Sequence, residues 1–386
     1  MKKNLAFVAA VLLAAAMLVS CGTTVAVKDH IPAEVNMSGM KNLAVASVTV
    51  KDSTTASSHS SVVSTVTVGS GNNSHVRIFS SWSSDLPKKL GNYAQAQMLN
   101  KLHASDYFAL SEPSKTDALF SEGKMLGQTR SRFMNAGIDA ILSSRMTIIS
   151  FDEYITSELR QVYDTATSAN KTVGIDYYLE TELILGFEYN VIGVEQNTLV
   201  SSDSYTKTVY DKTLAATFMY GASGGVTDGY FSYAISSGPN LYPEYRKALD
   251  SMVANVAVAL APRWEYSTET LMSNSAKIES LKIAYEYAGD GNYTQAFDIF
   301  DSEWKSSNDL SSGYNAAILL YARGKLSDAV TYMNNVASIT GSGEAYSKAA
   351  ALKQKLRLAE IAEQQVNGTA SDATVEEFEI KNFFGR

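Results

Sequence analysis

The 386-residue sequence contains one cysteine and four histidines, and these two shortages exclude several kinds of site. With Cys21 as its only cysteine, the chain forms no internal disulfide and no metal site built from paired thiolates. The histidines include no pair four residues apart, which excludes the helix-borne zinc site of His-x-x-x-His type; they are His30, His59, His75 and His103. We predict no bound metal and no cofactor.

The common motifs of nucleophilic and nucleotide-dependent catalysis are also missing. The sequence has no Gly-x-Ser-x-Gly, no Walker A loop and no Gly-x-Gly-x-x-Gly. Ser-x-x-Lys occurs five times, which the high content of Ser and Lys explains. The Lys-Thr-Gly motif that accompanies it in β-lactamases is missing. Glu180 and Glu182 form a carboxylate pair, which we interpret as solvated or ion-paired rather than catalytic. We therefore predict no catalytic residue, no enzyme activity and no small-molecule substrate.

Positive charge is scarce as well. Thirty-two Lys and Arg residues stand against 40 Asp and Glu residues, which gives a formal net charge of −8. An acidic chain without basic runs is not expected to bind nucleic acid. After residue 20, the longest apolar run, at 253–261, is too short to cross a bilayer.

The N-terminus carries a targeting signal. Lys2 and Lys3 precede an apolar stretch at 5–19, the pattern of a secretory signal peptide that is removed, here residues 1–20. The following Leu-Val-Ser-Cys at 18–21 resembles the lipobox of bacterial lipoproteins. The resemblance implies acylation of Cys21, a membrane anchor there, and a mature chain that begins at this residue. An ordinary secretory peptide with an incidental cysteine is the alternative.

The same resemblance implies a location in the cell envelope. Gly22 follows the lipidated cysteine and is not the Asp that often marks retention in the inner membrane. We therefore predict an outer-membrane lipoprotein that faces the periplasm or the cell surface, with residues 21–40 as a polar, lipidated tether.

Residues 41–265 are predicted to form a domain of mixed strands and helices. The apolar, β-branched run at 42–50 predicts a buried strand, and the Ser/Thr-rich insert at 51–85 predicts a hairpin. Asp85 and Pro87 signal the start of a helix. Its apolar stripe comprises Leu86, Leu90, Tyr93, Ala94 and Leu102. A short strand at 107–110 and a second helix at 115–136, capped by Ser114, are predicted to follow.

The best-defined strand covers residues 173–191. Apolar or aromatic side chains occupy almost every odd position and polar ones most even positions, which is typical of a sheet buried on one face. Segments 138–151 and 199–210 are predicted to be its neighbours, and a helix is predicted at 243–261. The expected fold class is α+β, an α/β sandwich with a small, mostly antiparallel sheet flanked by helices.

This order of elements, with Ala-Gly-Ile-Asp-Ala-Ile-Leu at 136–142, resembles the fold of the curli-secretion lipoprotein and the penicillin-binding-protein activator. The resemblance covers about residues 41–262. It implies an assembly role, leaves homo-oligomerisation open, and suggests an oligomeric secretion pore as an alternative function. The membrane-inserting hairpin of such a pore would come from residues 62–82 or 214–235.

Residues 266–366 have a helical character and an internal repeat at an offset of 33. Small, apolar, Gly, apolar, Ala and large residues recur in that order, which resembles the tetratricopeptide repeat. A capping helix is predicted at 344–365 and a loosely ordered tail at 367–386. If the resemblance holds, Tyr285, Tyr314 and Tyr321 line the concave groove that binds a partner; packing between helices is the alternative.

The function predicted from the sequence is therefore that of a lipid-anchored, non-enzymatic interaction or assembly module with an envelope protein as its partner. The secretion pore is the first alternative, and an envelope enzyme of unknown type is the second.

Overall fold

A computed structural model describes residues 22–37, 39–54, 61–68, 75–121, 126–164 and 169–371. The chain divides into two compact units. Unit 1 contains the described residues 22–37 and 262–371, and unit 2 contains those between 39 and 261. Strands and helices both contribute extensively, so the predicted α+β class is confirmed.

The described strands in chain order are β1 (Thr24–Ile31), β2 (Asn42–Val45), β3 (Thr49–Asp52), β4 (Val62–Thr67), β5 (His75–Phe79), β6 (Ala109–Ser111), β7 (Ala140–Asp164), β8 (Ala169–Gly193), β9 (Thr198–Met219), β10 (Tyr230–Ala234) and β11 (Arg263–Thr270). The described helices are α1 (Leu86–Ala104), α2 (Pro113–Ser121), α3 (Leu126–Asn135), α4 (Tyr242–Leu260), α5 (Leu281–Gly289), α6 (Tyr293–Ser307), α7 (Leu310–Ala322), α8 (Leu326–Thr340) and α9 (Gly343–Asn367).

Unit 2 is built on a mixed sheet with the order β10-β9-β8-β7-β2-β6, in which β3 also pairs with β7. The strands β7 to β10 form an antiparallel meander. In contrast, β2 pairs in parallel with both β6 and β7, and β3 pairs in parallel with β7. The predicted alternation of β8 is confirmed from residue 179 to 193, where the odd positions are buried, whereas Val173, Ile175 and Tyr177 are half-buried. The strand is longer than predicted, at 25 residues, and it continues through Gly186.

Two helices cover the buried face of this sheet. The predicted stripe of α1 is confirmed at Leu86, Leu90, Ala94 and Leu102, all of which are buried. Tyr93 lies at the edge of that stripe, and its hydroxyl donates to Asp250 of α4 over 2.7 Å. The predicted helix at 243–261 is confirmed as α4, with its own buried stripe.

The predicted strand at 42–50 is wrong as a single element, because it divides into β2 and β3. Between them, the amide of Val48 donates to the side chain of Gln95 over 2.6 Å, and the amide of Ser47 donates to Asp117 over 3.1 Å. Side chains from two helices thus take backbone hydrogen bonds that a continuous strand would give to its neighbour. The helix predicted at 115–136 is described as α2 and α3, and residues 122–125 between them lie outside the described residues.

Both segments considered for a pore form hairpins, but each buries apolar side chains inside unit 2. In the β4–β5 hairpin, Ile78 is fully buried against Leu179 and Ala215. In the β9–β10 hairpin, Ala216 and Phe218 are buried. These apolar groups already have protein neighbours, so the described parts of both hairpins give the pore alternative little support.

The predicted tether at 21–40 is wrong over β1, which pairs with β11 in an antiparallel ribbon from Thr24↔Thr270 to Ile31↔Arg263. The reason is the alternation within Thr-Val-Ala-Val-Lys-Asp-His-Ile, which buries Val25, Val27, Asp29 and Ile31. Such a pattern forms a strand once a partner strand and a core are available. The helices α5 to α9 supply that core.

The helices of unit 1 surround α7, whose residues from Ser311 to Tyr321 are all buried. A helix buried on every side is expected to be apolar all round, as most of α7 is. The offset of 33 recurs in the turns, since Gly291 and Gly324 both have positive φ, at 79° and 75°. Each follows the first helix of a helical pair, where glycine adopts this conformation without steric cost.

No helix in the described part of the chain combines the length and the apolar character needed to span a membrane.

Gly313 is the position where helix packing in unit 1 leaves no room for a side chain. A Cβ atom there would lie 2.6 Å from Cε3 of Trp304 and 2.7 Å from Cγ2 of Val336. We expect Gly313→Ala to destabilise the protein by about 1–3 kcal/mol, because overpacking forces buried neighbours to move. Gly343→Ala is the control, since nothing lies within 4 Å of its Cβ position. Thermal unfolding measures both, and equal midpoints would contradict the packing argument.

Candidate functional site

Unit 1 contains a groove of about 730 Å³ between the β1–β11 ribbon and two parts of the helical array. The ribbon contributes Lys28, His30, Trp264 and Tyr266. The helical side is formed by residues 321–324 and 326, at the end of α7 and the start of α8, and by two residues of α9. We call this surface the ribbon groove.

The ribbon side chains reach the groove because directly paired residues of an antiparallel ribbon share one face. His30 pairs with Trp264 and Lys28 pairs with Tyr266. The imidazole stacks on the indole with a centroid distance of 4.3 Å and an angle of 13°. The Lys28 Nζ lies 4.6 Å from the centroid of the Trp264 ring. Trp264 remains 51% exposed and Tyr266 79% exposed, so both aromatic side chains are accessible.

The charge of the ribbon groove differs from that of the whole chain. Its lining contains the cations Lys28 and Arg323 and the anion Glu363, in a protein with a formal net charge of −8. Burial lowers the pKa of His30, and the negative charge of Glu363 raises that pKa in opposition. Burial has the larger effect, so the pKa of His30 in the folded protein lies below its usual value. The unfolded chain therefore binds a proton at His30 more readily, and lowering the pH through the usual pKa of histidine destabilises the folded state.

A buried polar cluster supports the groove from behind. Asp29, on the buried face of β1, accepts hydrogen bonds from the Tyr321 hydroxyl and from Lys355 Nζ, and Lys355 also donates to the Tyr321 oxygen over 2.9 Å. A buried carboxylate needs such partners because its desolvation is costly. The cluster therefore ties β1 to α7 and α9.

The three tyrosines predicted to bind a partner occupy different positions. Tyr321 lines the ribbon groove but is only 2% exposed, and burial together with Asp29 raises the pKa of its hydroxyl. Tyr314 is buried in the core, where burial raises its pKa to about 12. Tyr285 is half-buried beside a second cavity of about 650 Å³. Their positions fit the alternative of packing within the helical array, and partner binding by them stays a prediction.

Tyr285 belongs to a second polar cluster, which holds the loop after β11 against α7. Its hydroxyl donates to the carbonyl of Met272 over 2.5 Å. Asn315 forms two hydrogen bonds with the backbone of Met272, of 2.7 and 2.9 Å, and donates to the Tyr285 oxygen over 2.9 Å. These hydroxyl and amide groups are satisfied internally, which is a structural role.

Cys21, the predicted lipidation site, lies outside the described residues, and Gly22 is the first residue that the structure describes.

Of the carboxylate pair that we predicted to be solvated or ion-paired, Glu180 lies close to a lysine. Glu180 accepts hydrogen bonds from Thr156 over 2.5 Å and from Tyr210 over 2.6 Å, and its distance to Lys212 Nζ is 3.5 Å. These hydrogen bonds lower the pKa of Glu180 to about 2. The side chain is thus a strongly ionised cross-strand partner.

The described residues contain no group of three or more His, Cys, Asp or Glu side chains placed to hold a metal ion. The predicted absence of cofactors stays a prediction.

Sequence reasoning missed Lys28, His30, Trp264 and Tyr266, because the first two lay in the predicted tether and the others at a predicted domain boundary. A usable signal existed in β1, whose residues alternate between buried and more exposed positions over the whole strand. It could not identify the partner strand, and without that partner the four side chains have no common face.

No protein-family model matches this sequence, and no curated protein matches it. Among solved structures, the chain is similar to the PelC dodecamer from Paraburkholderia phytofirmans, with 13% identity and a TM-score of 0.24 over 62% of this chain and 99% of that chain. It is also similar to lipoprotein GNA1162 from Neisseria meningitidis, with 8% identity and a TM-score of 0.22 over 44% of this chain and 84% of that chain. At these scores the similarities carry no argument about fold or function.

The opposing effects on His30 can be separated by substitution. Glu363→Gln removes the effect that raises the pKa of His30 and leaves burial in place. We expect the NMR titration midpoint of the His30 imidazole to move to lower pH. Glu360→Gln, an exposed position on the same helix, is the control and should leave the midpoint unchanged. A midpoint that stays constant or rises in Glu363→Gln would contradict this account of the groove's charge.

Proposed function

We propose that this protein is a lipid-anchored component of the bacterial cell envelope that binds another envelope protein without catalysing a reaction. The anchor is Cys21, on the strength of the lipobox pattern at 18–21. The outer membrane is the proposed location. The tetratricopeptide-like repeat, whose 33-residue offset recurs at the turns of Gly291 and Gly324, is the proposed scaffold of the binding surface.

The single observation that carries the proposal is the ribbon groove. Exposed aromatic side chains beside cations are typical of the residues that dominate protein interfaces, where Trp, Tyr and Arg are enriched. Trp264 and Tyr266 supply accessible apolar area, and Lys28 and Arg323 supply positive charge in an acidic protein. A groove with this lining is complementary to an extended segment that carries carboxylates next to an apolar side chain.

We therefore propose an acidic, extended segment of a protein partner as the occupant of the ribbon groove.

The proposal of a non-enzymatic role rests on the chemistry of the described polar clusters. Asp29, Tyr321, Lys355 and Glu180 all have protein partners that satisfy them, so these groups have structural explanations.

The lipid anchor is tested by metabolic labelling with a palmitate analogue in a bacterium that processes lipoproteins. We expect the wild-type chain to incorporate the label and to fractionate with membranes. We expect Cys21→Ala to lose both properties, because no other residue offers a thiol for acylation. Labelling that persists in Cys21→Ala would contradict the anchor.

The occupant of the groove is tested by photo-crosslinking from Tyr266, replaced with benzoylphenylalanine, in intact envelope membranes. We expect an adduct whose cross-linked partner peptide, identified by mass spectrometry, contains Asp or Glu beside an apolar residue. Loss of one exposed ion pair weakens binding about two- to fivefold. With that purified partner, Lys28→Glu should weaken binding by more than this factor, since it also introduces a repulsion.

Two controls accompany this experiment. The photoreactive residue at Tyr346, which is 53% exposed on α9, should not give the same adduct. Lys353→Glu, an exposed charge reversal elsewhere on α9, should leave the affinity unchanged. Equal weakening by Lys28→Glu and Lys353→Glu would show that only the overall charge matters and would contradict a specific groove.

A further inference from the structure

The outer edge of β11, on the side away from β1, is a free strand edge. In the described part of the chain, β11 pairs with β1 alone, in a two-stranded ribbon. Six of the eight residues of β11 are exposed and the other two are half-buried. The side of the strand that faces away from β1 is therefore accessible to a further strand.

The hydrogen-bond pattern of the ribbon shows which amides point to this edge. Leu271, directly after β11, donates its amide to the carbonyl of Thr23 over 2.8 Å. Hydrogen-bonded pairs alternate with pairs that are not hydrogen-bonded in an antiparallel ladder. The pairs of the second kind are therefore Thr24↔Thr270, Ala26↔Thr268, Lys28↔Tyr266 and His30↔Trp264. The amide of Ala26 is consistent with this assignment, because it donates to the Tyr293 hydroxyl over 3.0 Å and not to β11.

The backbone groups of Trp264, Tyr266 and Thr268 consequently point away from β1. Within the ranges that the structure describes, their amides donate to no other group. Native proteins usually protect such an edge with lysine, proline or a β-bulge. β11 contains no Lys and no Pro, and its pairing with β1 runs without a register shift. The edge thus has the free hydrogen-bonding groups that strand addition requires.

We infer that the acidic segment proposed for the ribbon groove binds as a third strand on the outer edge of β11. The inference rests on the proposed function, which supplies the occupant, and it adds how that occupant is held. The backbone of the segment lies along β11, and every second side chain lies on the face that carries Trp264 and Tyr266. Main-chain hydrogen bonds supply affinity in this mode of binding, and alternate side chains supply specificity.

Lys28 favours an acidic side chain on that face. It pairs with Tyr266, yet its Nζ lies 4.6 Å from the centroid of the Trp264 ring and is thus directed over β11. An added strand lies about 4.8 Å from β11, and neighbouring side chains on one face of a sheet interact. A carboxylate beside Trp264 in the added strand is therefore attracted to the Lys28 amine.

The opposite face of β11 selects against acidic side chains. It carries Glu265, which is paired with Arg263, and Glu269, which is paired with Lys348. Like charges directly opposite each other in a sheet are destabilising. We therefore expect the segment to carry its Asp or Glu on the Trp264 face only, with uncharged or basic residues on the face next to Glu265.

Thr268→Pro tests the strand pairing in the full-length protein. Proline removes the outward amide of residue 268 without removing a hydrogen bond to β1, and it is tolerated on edge strands. Thr268 also lies outside the lining of the ribbon groove. Thr24→Pro is the matched control, because it removes an outward amide from the other edge of the same ribbon.

Each substitution is combined with benzoylphenylalanine at position 266, and photo-crosslinking is carried out in intact envelope membranes. We expect Thr268→Pro to lower the yield of the partner adduct about tenfold, since a main-chain hydrogen bond is lost and its acceptor is left unpaired. Thr24→Pro should leave the yield unchanged.

The outcomes separate this inference from the proposed function. An adduct that forms equally well with Thr268→Pro would overturn the strand pairing and leave the partner in place. No adduct in the parent protein would overturn the proposed occupant itself. An adduct with a second copy of this chain would overturn pairing with a partner in favour of pairing between copies.

A second measurement requires no substitution in β11. The peptide identified in the adduct is synthesised and added at saturation to the purified full-length protein, and amide hydrogen exchange is followed by NMR. We expect exchange at Tyr266 and Thr268 to slow about tenfold or more, because an amide bonded to an added strand exchanges only when the complex opens. Exchange at Ser267, which is already bonded to β1, should change less. Unchanged exchange at Tyr266 and Thr268 would overturn the inference, even where Thr268→Pro fails to fold.

Discussion

The pairing of β1 with β11 is the contact on which the architecture of unit 1 depends. It brings a segment near the start of the chain against one that follows unit 2 in sequence, and it places Asp29 among the helices. A carboxylate in that position is costly to bury without partners, and Tyr321 and Lys355 provide them. Removing one partner would leave the others unsatisfied, so the ribbon and the helices are stabilised together.

The surface that we connect with function is a product of that pairing. The ribbon groove exists because the ribbon stacks His30 on Trp264 and stands opposite the end of α7. One strand pairing thus positions the proposed partner site.

Unit 2 depends on a different constraint, the length of its antiparallel meander. β7 and β8 each contain 25 residues, and they pair from Ala140↔Gly193 to Asp164↔Ala169. Helices cover part of one face of the sheet, and the β4–β5 hairpin packs on the region around Leu179. Glu180, which is buried, accepts a cross-strand hydrogen bond from Tyr210 of β9.

The sequence by itself determined the local elements of this protein. Alternation predicted β8, an apolar stripe predicted α1, and the 33-residue offset predicted helical pairs that turn at Gly291 and Gly324. These features depend on neighbours in sequence, so their signals are periodic and short-ranged. Only the tertiary structure decided that β1 is a strand and that Lys28, His30, Trp264 and Tyr266 share one groove. An eight-residue strand is stable only with a partner and a core, and both lie far away along the chain.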